Sequence, residues 1–180
     1  ALLPTLIAYV DRPETLPYWK ALADDPEATA LTASNPRVVH DTLLLFKDAV
    51  EKDPAYAFEA LKLAQERTVT LADFGEACAF FFQNQPTMDE KAAAKWRTQP
   101  QVPELFEYLI KELAAGPFSA ERYETLVRTF AESHGMEKLG PVVHPIRVAL
   151  TGKTTGPGLF ELMAVLGPQR ITQRLKKAQP

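Results

Sequence analysis

The stretch "RVALTGKTTGPGLF", Arg147 to Phe160, places one guanidinium, one lysine, three glycines and a proline between two apolar runs. Three chemistries are open to such a loop. Its "TGKT", Thr151 to Thr154, ends like a phosphate-cradling loop, in which backbone N–H groups and a lysine hold a nucleotide's phosphates. That motif needs its first glycine at position 147, where Arg147 stands, and it follows a strand, whereas this loop follows a helical pattern. ATP binding here is therefore set aside. A second reading is a surface for a nucleobase. Arg147 offers a planar fork of donors to a base edge, and Gly156 and Gly158 let a base or backbone approach closely. Pro157, expected at the first helical position, lies beside the N–H groups of a helix start, and Leu159 and Phe160 offer apolar contact. The third reading is plainer: a tight interhelical turn with Leu159 and Phe160 in the core.

Catalytic and metal chemistry find little support. His40, His134 and His144 lie in separate elements, and no pair falls at i, i+4, so neither a metal site nor a nucleophile–base pair forms from local spacing. Each is expected at the surface or in packing. Cys78, inside the apolar run "EACAFFF", reads as a small buried hydrophobe. No catalytic, cofactor or metal residue is assigned in this segment, and weight moves from enzyme to binding module.

Composition agrees with that shift. The chain has 180 residues, 46% hydrophobic and 24% charged, enough apolar mass for a real core. A single cysteine excludes an internal disulfide framework and points to a reducing, cytoplasmic setting. No stretch reaches the roughly 18 apolar residues of a membrane span. The net charge of -3 is uneven, because residues 141–180 carry six basic side chains against Glu161 alone. Lys153, Arg170, Arg174, Lys176 and Lys177 either meet a polyanion's phosphates or only make the chain's last part a solubilising charged face.

The elements that must carry this loop are legible from caps and periodicity. "NPRVVHDTLLLFKDAVEKD" starts at the cap Asn35 with Pro36 behind it, and "DPAYAFEALKLAQER" repeats the device with Asp53 and Pro54. "TMDEKAAAKWR" has the form of a capping box, Thr87 with Glu90. "VPELFEYLIKELAAG" ends at Gly116, and "SAERYETLVRTFAESHG" runs from the cap Ser119 to Gly135. Three further helices follow, in "LGPVVHPIRVAL", "GPGLFELMAVLG" and "GPQRITQRLKKAQ". No stretch alternates with period two, so the fold is expected to be all-α. The polar, proline-containing stretch "FQNQPTMDEKAAAKWRTQPQVP" divides it into two small helical subdomains, residues 1–85 and 86–180.

"PIRVALTGKTTGPGLFELMAVLG" followed by "RITQRLKKA" resembles the C-terminal end of bacterial glutamyl-tRNA synthetases. "ERTVTLADFGEACAFFF", Glu66 to Phe82, resembles that family's entry into its anticodon-binding region. The likeness runs from about Tyr56 to Ala178, while residues before about Asp53 rest on patterning alone. It implies an all-helical anticodon-binding cage. By position, Arg67, Arg147, Gly156, Pro157 and Leu159 are implied to read the anticodon, with Gly156 standing where some relatives carry threonine. With tRNA as the polyanion, the clustered charge of Lys153, Arg170, Arg174, Lys176 and Lys177 is expected to lie along the tRNA backbone.

The resemblance further implies a glutamate-specific tRNA as partner, and a parent that is an ATP-dependent, monomeric ligase. ATP and Mg would belong to a catalytic domain of the same parent chain. The signatures of that domain are not in these residues, and the start at Ala1 fits an excised fragment. A free-standing helical module that binds tRNA or docks a protein is the alternative, and a helical scaffold without an RNA role is the third.

Overall fold

The computed structural model describes residues 2–26, 35–65, 68, 71–116 and 118–179. Among them there are ten helices and no strand. They fall into two compact units, residues 1–83 and 84–180.

The first unit holds α1 (Leu2–Val10), α2 (Thr15–Asp24), α3 (Pro36–Lys52), α4 (Pro54–Ala64) and α5 (Leu71–Phe82). Its helix starts are locally encoded: Asn35 accepts from Arg37 N, and Asp53 accepts from Tyr56 N, satisfying N–H groups that have no helical partner. α3 is the centre, packed against α2, α4 and α5. Val39, Leu43 and Phe46 repeat along its buried side, and Phe46 meets Phe74 and Phe82 edge-on. Gly75 on α5 has no room for a Cβ, which would come within 3.0 Å of Val39 backbone, so the two helices are in close approach there. Cys78 is fully buried in this unit, and burial pushes its thiol pKa far up.

The second unit comprises α6 (Glu90–Trp96), α7 (Val102–Leu113), α8 (Ala120–Ser133), α9 (Gly140–Thr151) and α10 (Leu159–Ala178). Its core is a ring of fully buried side chains, among them Leu105, Leu109, Tyr123, Ile146, Leu162 and Met163, drawn from α7 to α10. α10 bends sharply at Gly167, whose φ of 74° and ψ of 164° are non-helical, and Pro168 follows. The two helices expected across this point are therefore nearly continuous along the chain but differ in direction.

Two starts in this unit differ from the sequence expectation. α6 is capped by Asp89, which accepts from Lys91 N and Ala92 N, rather than by Thr87. The reason is tertiary: Asp89 N donates to Gly152 O at 2.8 Å, which holds Asp89 in extended backbone and starts the helix two residues later. α10 begins at Leu159 with Gly158 as its cap, so Pro157 lies in the loop and not at the first helical position.

Candidate functional site

The loop between α9 and α10 is built from the end of α9 outward. α9 contains Pro145, which has no N–H for the carbonyl four residues back; the Gln101 side chain supplies the missing donor to Pro141 O at 2.9 Å. This keeps α9 helical through Arg147 to Thr151. Thr151 is buried, and its hydroxyl donates to Arg147 O at 2.8 Å while accepting from Lys153 N at 3.1 Å, so the first turn of the loop is tied to the helix. Gly152 closes the helix in the left-handed region at φ 75°, its N–H donating to Val148 O. A Cβ there would overlap the Thr87 carbonyl.

Arg147 reaches across the loop. Its Nη1 donates to Pro157 O at 2.6 Å, and a Cβ at Gly156 would stand 3.2 Å from the same nitrogen. Pro157 is buried and Gly156 half-buried, so the loop folds over the guanidinium rather than standing away from it. Leu159 is 4% exposed and belongs to the core, as the plain interhelical reading required; Phe160 is half-buried. The start of α10 already has an anion beside it. A Cβ at Gly158 would overlap the Glu161 carboxylate, which reaches back to the cap from the third helical position.

The cations assigned by sequence to one polyanion surface separate into two groups. Lys153 is half-buried within the loop, and Arg170, Lys176 and Lys177 are exposed on α10. Arg174 is a correction. It is 3% exposed, and its Nη1 donates to Leu150 O at 2.6 Å, meeting a carbonyl in the last turn of α9. A cation in that position complements the negative end of a helix and does not face phosphate. Arg67 lies outside the described residues.

One cluster was not legible from spacing. Trp96 of α6 stacks on His144 of α9, with ring centroids 4.4 Å apart and planes at 22°. Lys95 Nζ sits 4.9 Å from the Trp96 centroid. Burial holds the His144 pKa below 6.5, and the charges of Arg147 and Lys95 lower it further. The two stretches are far apart in the chain and share no motif, so only packing brings them together. Among the described residues no group of three or more His, Cys, Asp or Glu is placed to hold a metal ion, and no helix is long and apolar enough to cross a membrane.

Residues 21–179 match the family described as anticodon binding domain. The match takes in α3 and the end of α2, which the sequence motifs had left unassigned. Similar curated proteins include glutamate–tRNA ligase 2 of Caldicellulosiruptor saccharolyticus, 38% identical over 69% of this chain. The glutamate–tRNA ligase of Moorella thermoacetica is 36% identical over 71%. Each alignment covers 26% of the relative, so the chain spans about a quarter of the length of the proteins it matches. A solved glutamate tRNA ligase from Elizabethkingia meningosepticum superposes with a TM-score of 0.63 over 91% of this chain and 30% of that one. At 24% identity that likeness speaks for the fold. With a match that spans nearly all of this helical chain and includes the Arg147 loop, the chain belongs to the anticodon binding domain family.

Proposed function

We propose that this chain is the anticodon-binding part of a glutamate–tRNA ligase and that it receives the anticodon loop of glutamate tRNA. The observation that carries the reading is the family match over residues 21–179, supported by the curated glutamate–tRNA ligases that align over about 70% of the chain. In this reading residues 1–85 form one helical subdomain and residues 86–180 a second that carries the anticodon-reading loop. Arg147, whose Nη1 is set by Pro157 O, presents its guanidinium to a base edge. Gly156 and Pro157 shape the mouth of the loop. Leu159, being buried, acts by holding that mouth from below. Lys153, Arg170, Lys176 and Lys177 meet phosphates, and Arg174 holds α9 to α10.

Arg67 reads the third anticodon base. The parent is an ATP-dependent cytoplasmic ligase, acting as a monomer. Its ATP, Mg and glutamate chemistry belongs to a catalytic domain on the same parent chain.

The test is fluorescence anisotropy of this chain with glutamate tRNA and with the same tRNA carrying a replaced anticodon. Tighter binding of the native anticodon is expected, with affinity falling as salt rises. Equal binding of the two RNAs at every salt concentration overturns the reading.

A further inference from the structure

The cluster of Lys95, Trp96 and His144 is not explained by packing alone. α6 is short, yet it is firmly placed: Asp89 N bonds Gly152 O, and Arg97 Nε donates to Ala178 O at 2.9 Å, so both ends are pinned to the elements that flank the loop. Lys95 follows Asp89 by six residues, about 9 Å along the helix axis. Its ammonium is exposed yet drawn toward the Trp96 ring, a cation–π contact that limits its freedom. The same ring stacks on His144, one helical turn before Arg147 on α9.

The charges that act on His144 are both positive. The exposed lysines Lys20, Lys47 and Lys52 of the first unit each pair with an aspartate. Among the described residues no carboxylate pairs with Lys95. Lys95 and Arg147 instead bring two positive charges to bear on one imidazole, whose buried Nδ1 has no hydrogen-bond partner. An anion beside the exposed Lys95 ammonium is attracted by that charge and, more weakly, by Arg147. RNA carries such anions at each nucleotide.

We propose that Lys95 contacts an RNA phosphate beside the base met by the Arg147 loop, with Trp96 and His144 as the positioning residues that hold its ammonium there. The proposal rests on the anticodon-binding reading above and adds α6 to the RNA face, which otherwise consists of the loop and α10. A phosphate contact weakens all bound tRNAs alike when removed, whereas a base contact changes discrimination.

The experiment is the salt dependence of binding between this chain and glutamate tRNA, measured for the parent sequence, Lys95→Gln, Lys95→Arg and Arg147→Ala. Lys95→Gln is expected to reduce the steepness of log affinity against log salt by about 0.7 to 0.9. It should keep the parent melting temperature, because the side chain is exposed, and Lys95→Arg should restore the slope. The His144 imidazole, followed by NMR, should titrate at higher pH once the RNA is bound. If Lys95→Gln retains the parent slope and affinity while Arg147→Ala weakens binding, the Lys95 contact is overturned and anticodon reading survives. If the parent chain does not distinguish glutamate tRNA from its anticodon-replaced form, the reading fails and the Lys95 proposal falls with it.

Discussion

The guanidinium of Arg174 is buried under the end of α9 and donates a 2.6 Å hydrogen bond to the carbonyl oxygen of Leu150. A basic residue in a basic tail thus acts as a fastener between two helices. Arg174→Ala should cost about 2 to 4 kcal/mol of stability, since a buried carbonyl loses a charged donor and a cavity forms. Lys176→Ala, on the exposed side of the same helix, should change stability by no more than about 0.5 kcal/mol. Urea unfolding of the two variants checks the contrast, and equal small effects would return Arg174 to the phosphate-facing set.

Gly152 and Gly156 predict opposite kinds of damage. Gly152→Ala places a Cβ into the Thr87 carbonyl at a positive φ, so a loss of at least about 2 kcal/mol is expected in thermal or urea unfolding. Gly156→Ala meets only the Arg147 guanidinium, the far end of a long side chain tied to Pro157 O, at 3.2 Å. It should leave stability within about 0.5 kcal/mol but move that guanidinium and weaken tRNA binding. A stable variant with unchanged affinity would show that the position of Arg147 Nη1 is not critical.

Arg147→Ala should cost about 1 to 3 kcal/mol of binding and relax preference at one anticodon position. Because its Nη1 also spans the loop to Pro157 O, a modest fall in melting temperature is expected as well. Comparing cognate and anticodon-altered tRNAs separates the two effects. A variant that loses stability but discriminates as before has lost only a loop tie.

Acid should destabilise the second unit through His144. Its pKa lies below 6.5 in the folded chain, from burial first and then from Arg147 and Lys95. The unfolded chain therefore binds the proton more readily, and stability falls as pH drops from the unfolded value of 6.5 toward the lower folded one, then levels off. Above that window the neutral imidazole contributes fully. His144→Gln should flatten the part of the curve in this range, as followed by melting temperature between pH 7.5 and 5.0. An unchanged pH profile would mean that the ring is already able to charge in the native state.

Arg67 supplies a prediction about which tRNA is admitted. A fixed cationic donor pair meets the O2 and N3 acceptors of cytosine, while guanine presents donors on its Watson–Crick edge. In the full-length ligase, changing the third anticodon base from cytosine to guanine should reduce charging, and Arg67→Gln should erase the difference. Equal charging of both tRNAs by the unmodified enzyme would remove Arg67 from the reading set.

Local chemistry was legible in the sequence because its causes lie within a few residues. Asn35, Asp53 and Ser119 cap helices by accepting from N–H groups two or three positions ahead, so their types and places suffice to mark α3, α4 and α8. The apolar spacing of the all-α fold is equally local. The glycine-rich stretch after Arg147 could be recognised as a loop for the same reason, and its resemblance to a known family implied the kind of ligand that is proposed for it. What tertiary structure decided involved partners distant in the chain. Thr87 satisfied the pattern of a cap, but the bond from Asp89 N to Gly152 O moved the start of α6. Arg174 looked like its basic neighbours until the end of α9 covered it, and Trp96 and His144 became one stack only because α6 packs on α9. Charge and periodicity specify which residues can face water or core; which carbonyl, ring or cation each one meets is set by the packing of helices whose contacts the linear order does not encode.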